Sequence, residues 1–352
     1  MLIIDGSYGE GGGQILRTCL SLSVVTGRPI RLENIRAKRP KPGLRPQHLT
    51  CVQAAAAISR ARTKGAVIGS MKLDFSPQGI FPRAYRFDIG TAGSIMLVLQ
   101  TLLLPLSMAT APSRIVLIGG THVPWSPCFH YVDRVFKRSA GEMGLDFDLE
   151  LVRWGWYPKG GGKVCAKIRP CNLPLTPFTP KMTGDRKTCK IFGLSAASNL
   201  PEHVIKRQAH QIAKRLNYAG LSGFEVEEQI AVSNQPGSLS FCWVEGTGLY
   251  GGFTGIGKRG LPAEKVADAA VLQLIDFLNS KANIDRYLSD QLVPIAALSN
   301  GISHWSTQKI TRHLETVLWV ASLFDLCDYS IKKNPDGTGE VKLISKDCFS
   351  AS

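Results

Sequence analysis

Along the chain, short apolar runs of period two alternate with longer stretches of helical spacing, and this alternation predicts the architecture. Residues 2–5 read as a strand, residues 14–26 as a helix that starts behind a glycine cluster, and residues 30–36 as a strand again. The pattern returns more loosely with a strand at 87–89, a turn at 90–93, a helix to about Met108 and a strand at 114–118. Farther on, 131–143 is helical and 147–153 extended, and a glycine turn at 160–162 leads into a strand at 163–168. Strands alternating with helices predict an α/β architecture built from similar units. The units share little identity, so the repeat rests on pattern alone.

A boundary is expected at 169–185, where Pro170, Pro174, Pro177 and Pro180 favour an extended linker. Beyond it come a strand (189–193), a helix (201–217), strands near 225–232 and 239–245, and a helix (262–278). That module of about 95 residues has the size of a small domain. The following IDRYLSDQLVPIAAL reads as a return to the first domain. The expected organisation is a large domain of residues 1–185 and 280–352 with a small inserted α/β domain of residues 186–279.

Composition narrows the function. With 44% hydrophobic residues the 352-residue chain is globular in character, and its formal charge of +15 favours polyanionic partners. The most apolar run, 94–109, contains Gln100 and Pro105 and is too short to span a bilayer, so it is expected to be a buried core helix. The opening MLIIDGSYGEGG lacks the basic segment and long apolar core of a signal peptide. Nine scattered cysteines without a CxxC pair suit free thiols in a reducing compartment. These features predict a soluble protein of the cytoplasm, or of the nucleus in a eukaryote, with no membrane partner.

Four segments can carry chemistry. In GSYGEGGGQILR (6–17), glycines between a strand and a helix let backbone amides approach a phosphate. Glu10 within it would repel that phosphate unless a divalent cation, magnesium or manganese, bridges them. Gln14 and Arg17 lie three apart, near one helix face. The segment 36–48 holds Arg36, Lys38, Arg39, Lys41 and Arg45 with no acid, and its three prolines predict a stiff extended strip along a phosphate backbone, ending in Gln47 and His48. Gln100, polar within an apolar helix, either ties down a neighbour or faces a ligand. The fourth group is Tyr287, Asp290 and Gln291 with the distant His313 of TRHLET; imidazole is an adequate nucleophile when one nitrogen is unprotonated and the other held. His304 competes with His313, whereas His203 and His210 read as surface residues. GFTGIGKR (252–259) has Walker A spacing, but Arg259 stands where a magnesium-binding hydroxyl is needed.

Taken together, DGSYGEGGGQILR, IRAKRPKPGLRPQHL, IGTAGSIMLVLQT, GWYPKGGG, GKRGLPAE, YLSDQLV and TRHLET resemble the RNA 3′-terminal phosphate cyclase family, in the family's order. The resemblance implies a large domain of repeated βαβαββ units, similar to enolpyruvyl transferases, with a small inserted α/β domain. It implies ATP-dependent conversion of an RNA 3′-phosphate into a 2′,3′-cyclic phosphate, with AMP and pyrophosphate released, through a histidine–AMP intermediate and an RNA adenylate. By position, His313 resembles the adenylated histidine. Gln100, Tyr287, Leu288, Ser289, Asp290 and Gln291 resemble ATP-binding positions, and Glu10 the metal carboxylate. Gln14, Arg17, Arg36, Arg39, Gln47 and His48 fall at positions near phosphates or RNA. Two other readings stand beside this one: a non-catalytic RNA-binding relative, which would lack the histidine, and an enolpyruvyl transferase. The sequence leaves the oligomeric state open.

Overall fold

Residues 1–182, 186 and 189–346 are described by the computed structural model. In the first unit, β1 (Leu2–Asp5) leads through α1 (Gly13–Thr26) to a parallel neighbour, β2 (Ile30–Glu33). Then α2 (Pro46–Ser59) returns the chain to the antiparallel hairpin β3 (Arg62–Lys64) and β4 (Leu73–Ser76), giving the order β1-β2-β4-β3. The second unit repeats this scheme. β5 (Ala84–Asp88), α3 (Ile95–Ser107) and the parallel β6 (Ser113–Gly119) come first. Next are α4 (Phe129–Tyr131), a π-helical turn (Val132–Phe136) and α5 (Lys137–Glu142), which lead to β7 (Asp146–Arg153) and β8 (Gly162–Arg169), in the order β5-β6-β8-β7.

The chain then builds a smaller unit: β9 (Lys190–Ser198), α6 (His203–Tyr218), β10 (Phe224–Ile230), β11 (Gly237–Gly246), β12 (Leu249–Ile256) and α7 (Ala263–Asn279), with sheet order β10-β9-β11-β12. Ile205, Ile212 and Leu216 of α6 and Val271, Leu274 and Phe277 of α7 are buried at helical spacing. Ile212, Leu216, Val271, Leu274 and Phe277 share a separate apolar cluster with Cys242, Val244 and Phe253 of the sheet. Phe241 and Trp243, one residue out of phase with Cys242 and Val244 on β11, join the main core instead.

A third βαβαββ unit follows, its first strand reduced to one parallel bridge from Ile284 to Thr307. It contains α8 (Leu288–Ala296), β13 (Ile302–Thr307), α9 (Arg312–Leu323), β14 (Cys327–Lys333) and β15 (Gly339–Ser345), ordered β13-β15-β14. The inner helices meet one another: α1 packs on α2, α3 and α9, and α8 packs on α9. The expected α/β fold of repeated units with a small insertion is therefore present. The expected first boundary involves Asp185, which lies outside the described residues.

One expectation requires correction. The strip 36–48 is not extended: Arg36 has φ 55°. Backbone bonds from Ala37 to Asn34, Arg39 to Arg36 and Gly43 to Ile35 fold the segment back on itself. Gln47 and His48 instead begin α2, with Pro46 in its first turn, where a missing N–H costs nothing. The Walker-like GFTGIGKR lies largely in β12, where Gly255 is required by packing, because a Cβ there would stand 1.9 Å from the Val266 carbonyl oxygen of α7. The run around Gln100 is a buried helix as expected. No helix among the described residues is long and apolar enough to cross a membrane.

Helix α9 begins at a side-chain cap, the Thr311 Oγ1 accepting the Leu314 N–H at 3.1 Å. Thr311→Ala should lower stability by about 1 kcal/mol, read as a lower midpoint in thermal unfolding followed by circular dichroism.

Candidate active site

In a βαβ connection the helix starts where the strand ends, so helices that follow parallel strands present their N-termini at one edge of the sheet. Here α1, α2, α3, α8 and α9 do so in three separate units, and their first turns converge on one cleft of about 990 Å³. The cleft is lined by Gln14 of α1, Gln47 and His48 of α2, Gln100 of α3, Asp290 and Gln291 of α8, and His313 of α9. Glu10, Arg17, Arg36, Arg39 and Tyr287 also line it. Five helix N-termini supply backbone donors and partial positive charge, an arrangement suited to phosphates.

His313 is the second residue of α9, and both its nitrogens are engaged. Its Nδ1 hydrogen-bonds the Gln14 Oε1, and the Gln14 amide in turn donates to Asp290. An amide oxygen can only accept, so this bond places the proton on Nδ1 and the remaining lone pair, in neutral imidazole, on Nε2. The Nε2 faces Glu10 Oε2 at 2.5 Å, while Glu10 Oε1 pairs with Arg39.

Charge follows this geometry. The His313 contact holds the Glu10 carboxyl down to about 2, with Arg39 assisting and burial opposing. Enclosure by itself would lower His313, but the close Glu10 contact and the Asp290 and Glu10 charges outweigh it and raise the imidazole above its ordinary value. Enclosure pushes Asp290 up to about 6. Burial, reinforced by Arg17, Arg36 and Arg45, lowers His48 to about 3, so its ring is neutral at pH 7.

Several predicted residues are also committed to shaping the cleft. Gln47 Oε1 accepts the Ser94 N–H at 2.7 Å, fixing the start of α3 against α2. Arg36 donates to the carbonyls of Lys41 at 2.7 Å and Gly43 at 3.0 Å, which braces the basic loop. Gln100 bonds Gln291, so its amide both ties down a neighbour and borders the cleft. The His48 Nδ1 accepts the Arg45 N–H at 3.3 Å, leaving Nε2–H directed at the glycine turn. Close approach explains Gly13, since a Cβ there would lie 2.2 Å from His48 Nε2.

Leu288 and Ser289 do not reach the cleft. Both are fully buried, and Ser289 Oγ accepts the Trp305 indole N–H at 2.8 Å. His304 lies away on β13, beside Glu340, and His203 and His210 are exposed on α6. Sequence reasoning missed Asp285. Fully buried, it accepts the N–H groups of Gly252, Tyr287 and Leu288 and the Tyr131 hydroxyl, thereby fixing the start of α8. The only available signal was a second acid, five residues before Asp290. Trp125, exposed on the rim with φ 59°, was also missed.

Glu10 fits a hard cation. Its Oε2 is buried and makes no well-aligned hydrogen bond, despite the close charge contact with His313. Magnesium commonly takes one or two protein carboxylates together with substrate phosphates.

The family model described as RNA 3′-terminal phosphate cyclase matches residues 8–331. Among curated proteins, the RNA 3′-terminal phosphate cyclase of Thermococcus onnurineus is 42% identical over 98% of this chain and 99% of its own length. The protein of the same name from Pyrococcus furiosus is 39% identical over 98% and 99%, and that from Gloeothece citriformis 43% over 94% and 95%.

The raised His313 value gives a signed expectation. In an NMR titration its ring should lose its proton above the ordinary imidazole value of about 6.5. Glu10→Gln should move that transition to lower pH, and an unmoved transition would contradict the pairing. Gly13→Ala should displace His48 and weaken binding of inorganic phosphate or nucleotide, measured by calorimetry.

Proposed function

The chain belongs to the RNA 3′-terminal phosphate cyclase family, and on that premise we propose that His313 Nε2 is the nucleophile of its reaction. The protein is an ATP-dependent enzyme of the ligase type that converts an RNA 3′-phosphate into a 2′,3′-cyclic phosphate. The observation that carries the assignment is the His313–Gln14–Asp290 chain. It holds the ring by Nδ1 and turns the other nitrogen into the phosphate-binding cleft.

In this reading, neutral His313 attacks the α-phosphorus of ATP through Nε2. The bond to the bridging oxygen breaks and pyrophosphate leaves. An oxygen of the RNA 3′-phosphate then takes the adenylyl group, which restores the imidazole. Finally the adjacent 2′-hydroxyl attacks the RNA phosphorus, loses its proton and expels AMP. Activation is needed because a phosphomonoester oxygen leaves poorly, whereas AMP leaves readily and the neighbouring hydroxyl acts at high effective concentration.

Glu10 would hold a divalent cation, magnesium or manganese, whose charge neutralises the triphosphate and makes its phosphorus more electrophilic. A cation there would compete with His313 for Glu10, and an imidazole freed from Glu10 would have a lower pKa and an open Nε2 lone pair. Arg17, Arg39 and His48, with Gln14 beside them, receive phosphates. Arg36 and Gln47 position the loop and α3. Gln100, Gln291 and Tyr287 border an apolar wall of Leu103, Leu104 and Ile295 suited to a purine. Leu288 and Ser289 act only through the packing of α8.

Residues 186–279 form the inserted domain and 1–185 with 280–352 the catalytic domain, a division supported by the separate core between β11, α6 and α7. Cys19, Cys51 and Cys242 are buried thiols, which suits the reducing cytoplasm, or nucleus in a eukaryote.

Incubating the protein with ATP labelled in the α-phosphate and magnesium or manganese, without RNA, should give covalently labelled protein. His313→Ala should abolish the label; retained label would move the nucleophile elsewhere. Gln14→Ala should slow labelling on the order of 100-fold, the cost of losing a held orientation. The rate should rise with pH until His313 is deprotonated, then level off.

A further inference from the structure

We propose that His122, Cys128 and His130 form a second metal site, distinct from Glu10, for a thiolate-binding divalent cation of the zinc class. One ligand atom from each residue lies within 4.8 Å of the other two. His122 follows β6, Cys128 caps the start of α4, and His130 lies within α4, so two elements meet at the cluster. His122 and Cys128 are fully buried, and His130 is partly exposed and offers an entry path.

The donor set is specific. Two imidazoles and one thiolate suit zinc, with a fourth tetrahedral position left for water. His122 Nε2 and His130 Nδ1 stand 2.9 Å apart. Two nitrogens on one tetrahedral zinc are separated by about 3.3 Å, so the rings need part by only a few tenths of an ångström.

The surroundings orient each ligand. His122 Nδ1 lies 2.7 Å from Thr121 Oγ1, which accepts the Gly155 N–H at 2.8 Å and can donate onward to the Gly155 carbonyl at 3.4 Å. With the ring proton on Nδ1 donating to Thr121, Nε2 carries the lone pair a metal needs, as in other histidine sites with an outer hydrogen-bond partner. The Tyr131 N–H and the Thr254 hydroxyl each approach Cys128 Sγ at 3.4 Å, which fixes the position of the sulfur. Trp154 stacks on His122 at 4.0 Å, and Phe129 packs edge-on to His130, giving the site an apolar wall.

Metal binding releases the Cys128 thiol proton to solvent and forms one sulfur and two nitrogen bonds without redox change. Val123, Trp125 and Pro127, between the ligands, line the cleft. Tyr131, next to His130, bonds Asp285 at the start of α8. The ion therefore holds the cleft rim in place and takes no part in phosphoryl transfer.

The test uses the full chain, stripped with a chelator and reloaded. Wild-type protein should retain one equivalent of zinc by elemental analysis. With cobalt(II) it should show a thiolate-to-cobalt charge-transfer band and the visible bands of a tetrahedral ion. Cys128→Ser should lose the charge-transfer band, and His130→Gln should lose stoichiometric zinc. Glu10→Gln should keep both, which separates this site from the cleft cation. Lack of stoichiometric zinc in wild-type protein, or a charge-transfer band that survives in Cys128→Ser, would overturn the proposal even if a variant folds poorly.

Discussion

The architecture depends on one consequence of helix geometry: the first turn of every helix has N–H groups without an internal partner. Because α1, α2, α3, α8 and α9 each follow a strand of a parallel pair, those ends gather on one cleft. Three units packed through their helices bring five such ends to the cleft, and polar first-turn side chains come with them. Gln14, His48, Asp290 and His313 are distant in sequence but share this place in their helices.

Concentrated positive potential creates a second constraint. A cleft that attracts polyphosphates would also stabilise a neutral His313, but Glu10 and Asp290 oppose that by favouring the imidazolium. The same contact holds the Glu10 pKa down to about 2, so the carboxylate is ionised above that pH. In the proposed mechanism His313 is paired with Glu10 in the free protein and would become available once Glu10 had another cation to neutralise. Gln14 supplies geometry throughout, because its amide accepts from His313 and donates to Asp290 at once.

The basic loop shows why a charge run is not itself a binding site. Arg36 spends hydrogen bonds on the carbonyls of Lys41 and Gly43, and Arg39 on Glu10. Their cationic charge still faces the cleft, but the loop's shape comes from turns that the prolines had suggested would be absent. His122, Cys128 and His130 flank the Trp125 segment, which lines the same cleft. Helix α3 links the two segments along the chain: Gln47 holds its start, and β6, which leads to His122, follows it.

Sequence alone determined the features carried by local pattern. The alternation of strands and helices, the glycine turn before α1, the buried helix around Gln100 and the small unit after residue 189 were legible because periodicity and turn residues act within a few positions. The family-specific motifs also marked Glu10, the cleft glutamines and His313. Tertiary structure decided what depends on partners far along the chain. The third unit was hidden because its first strand is a single bridge at Ile284, and α2 because Pro46 opens a helix where a proline-rich strip predicted extension. Leu288 and Ser289 turn inward because α8 has one face in the core, so contiguous residues cannot all face a ligand. Above all, only folding brought Gln14 between His313 and Asp290, 299 and 276 residues away. A sequence names the groups that can carry charge or protons, but their pKa and direction follow from neighbours that only the assembled core supplies.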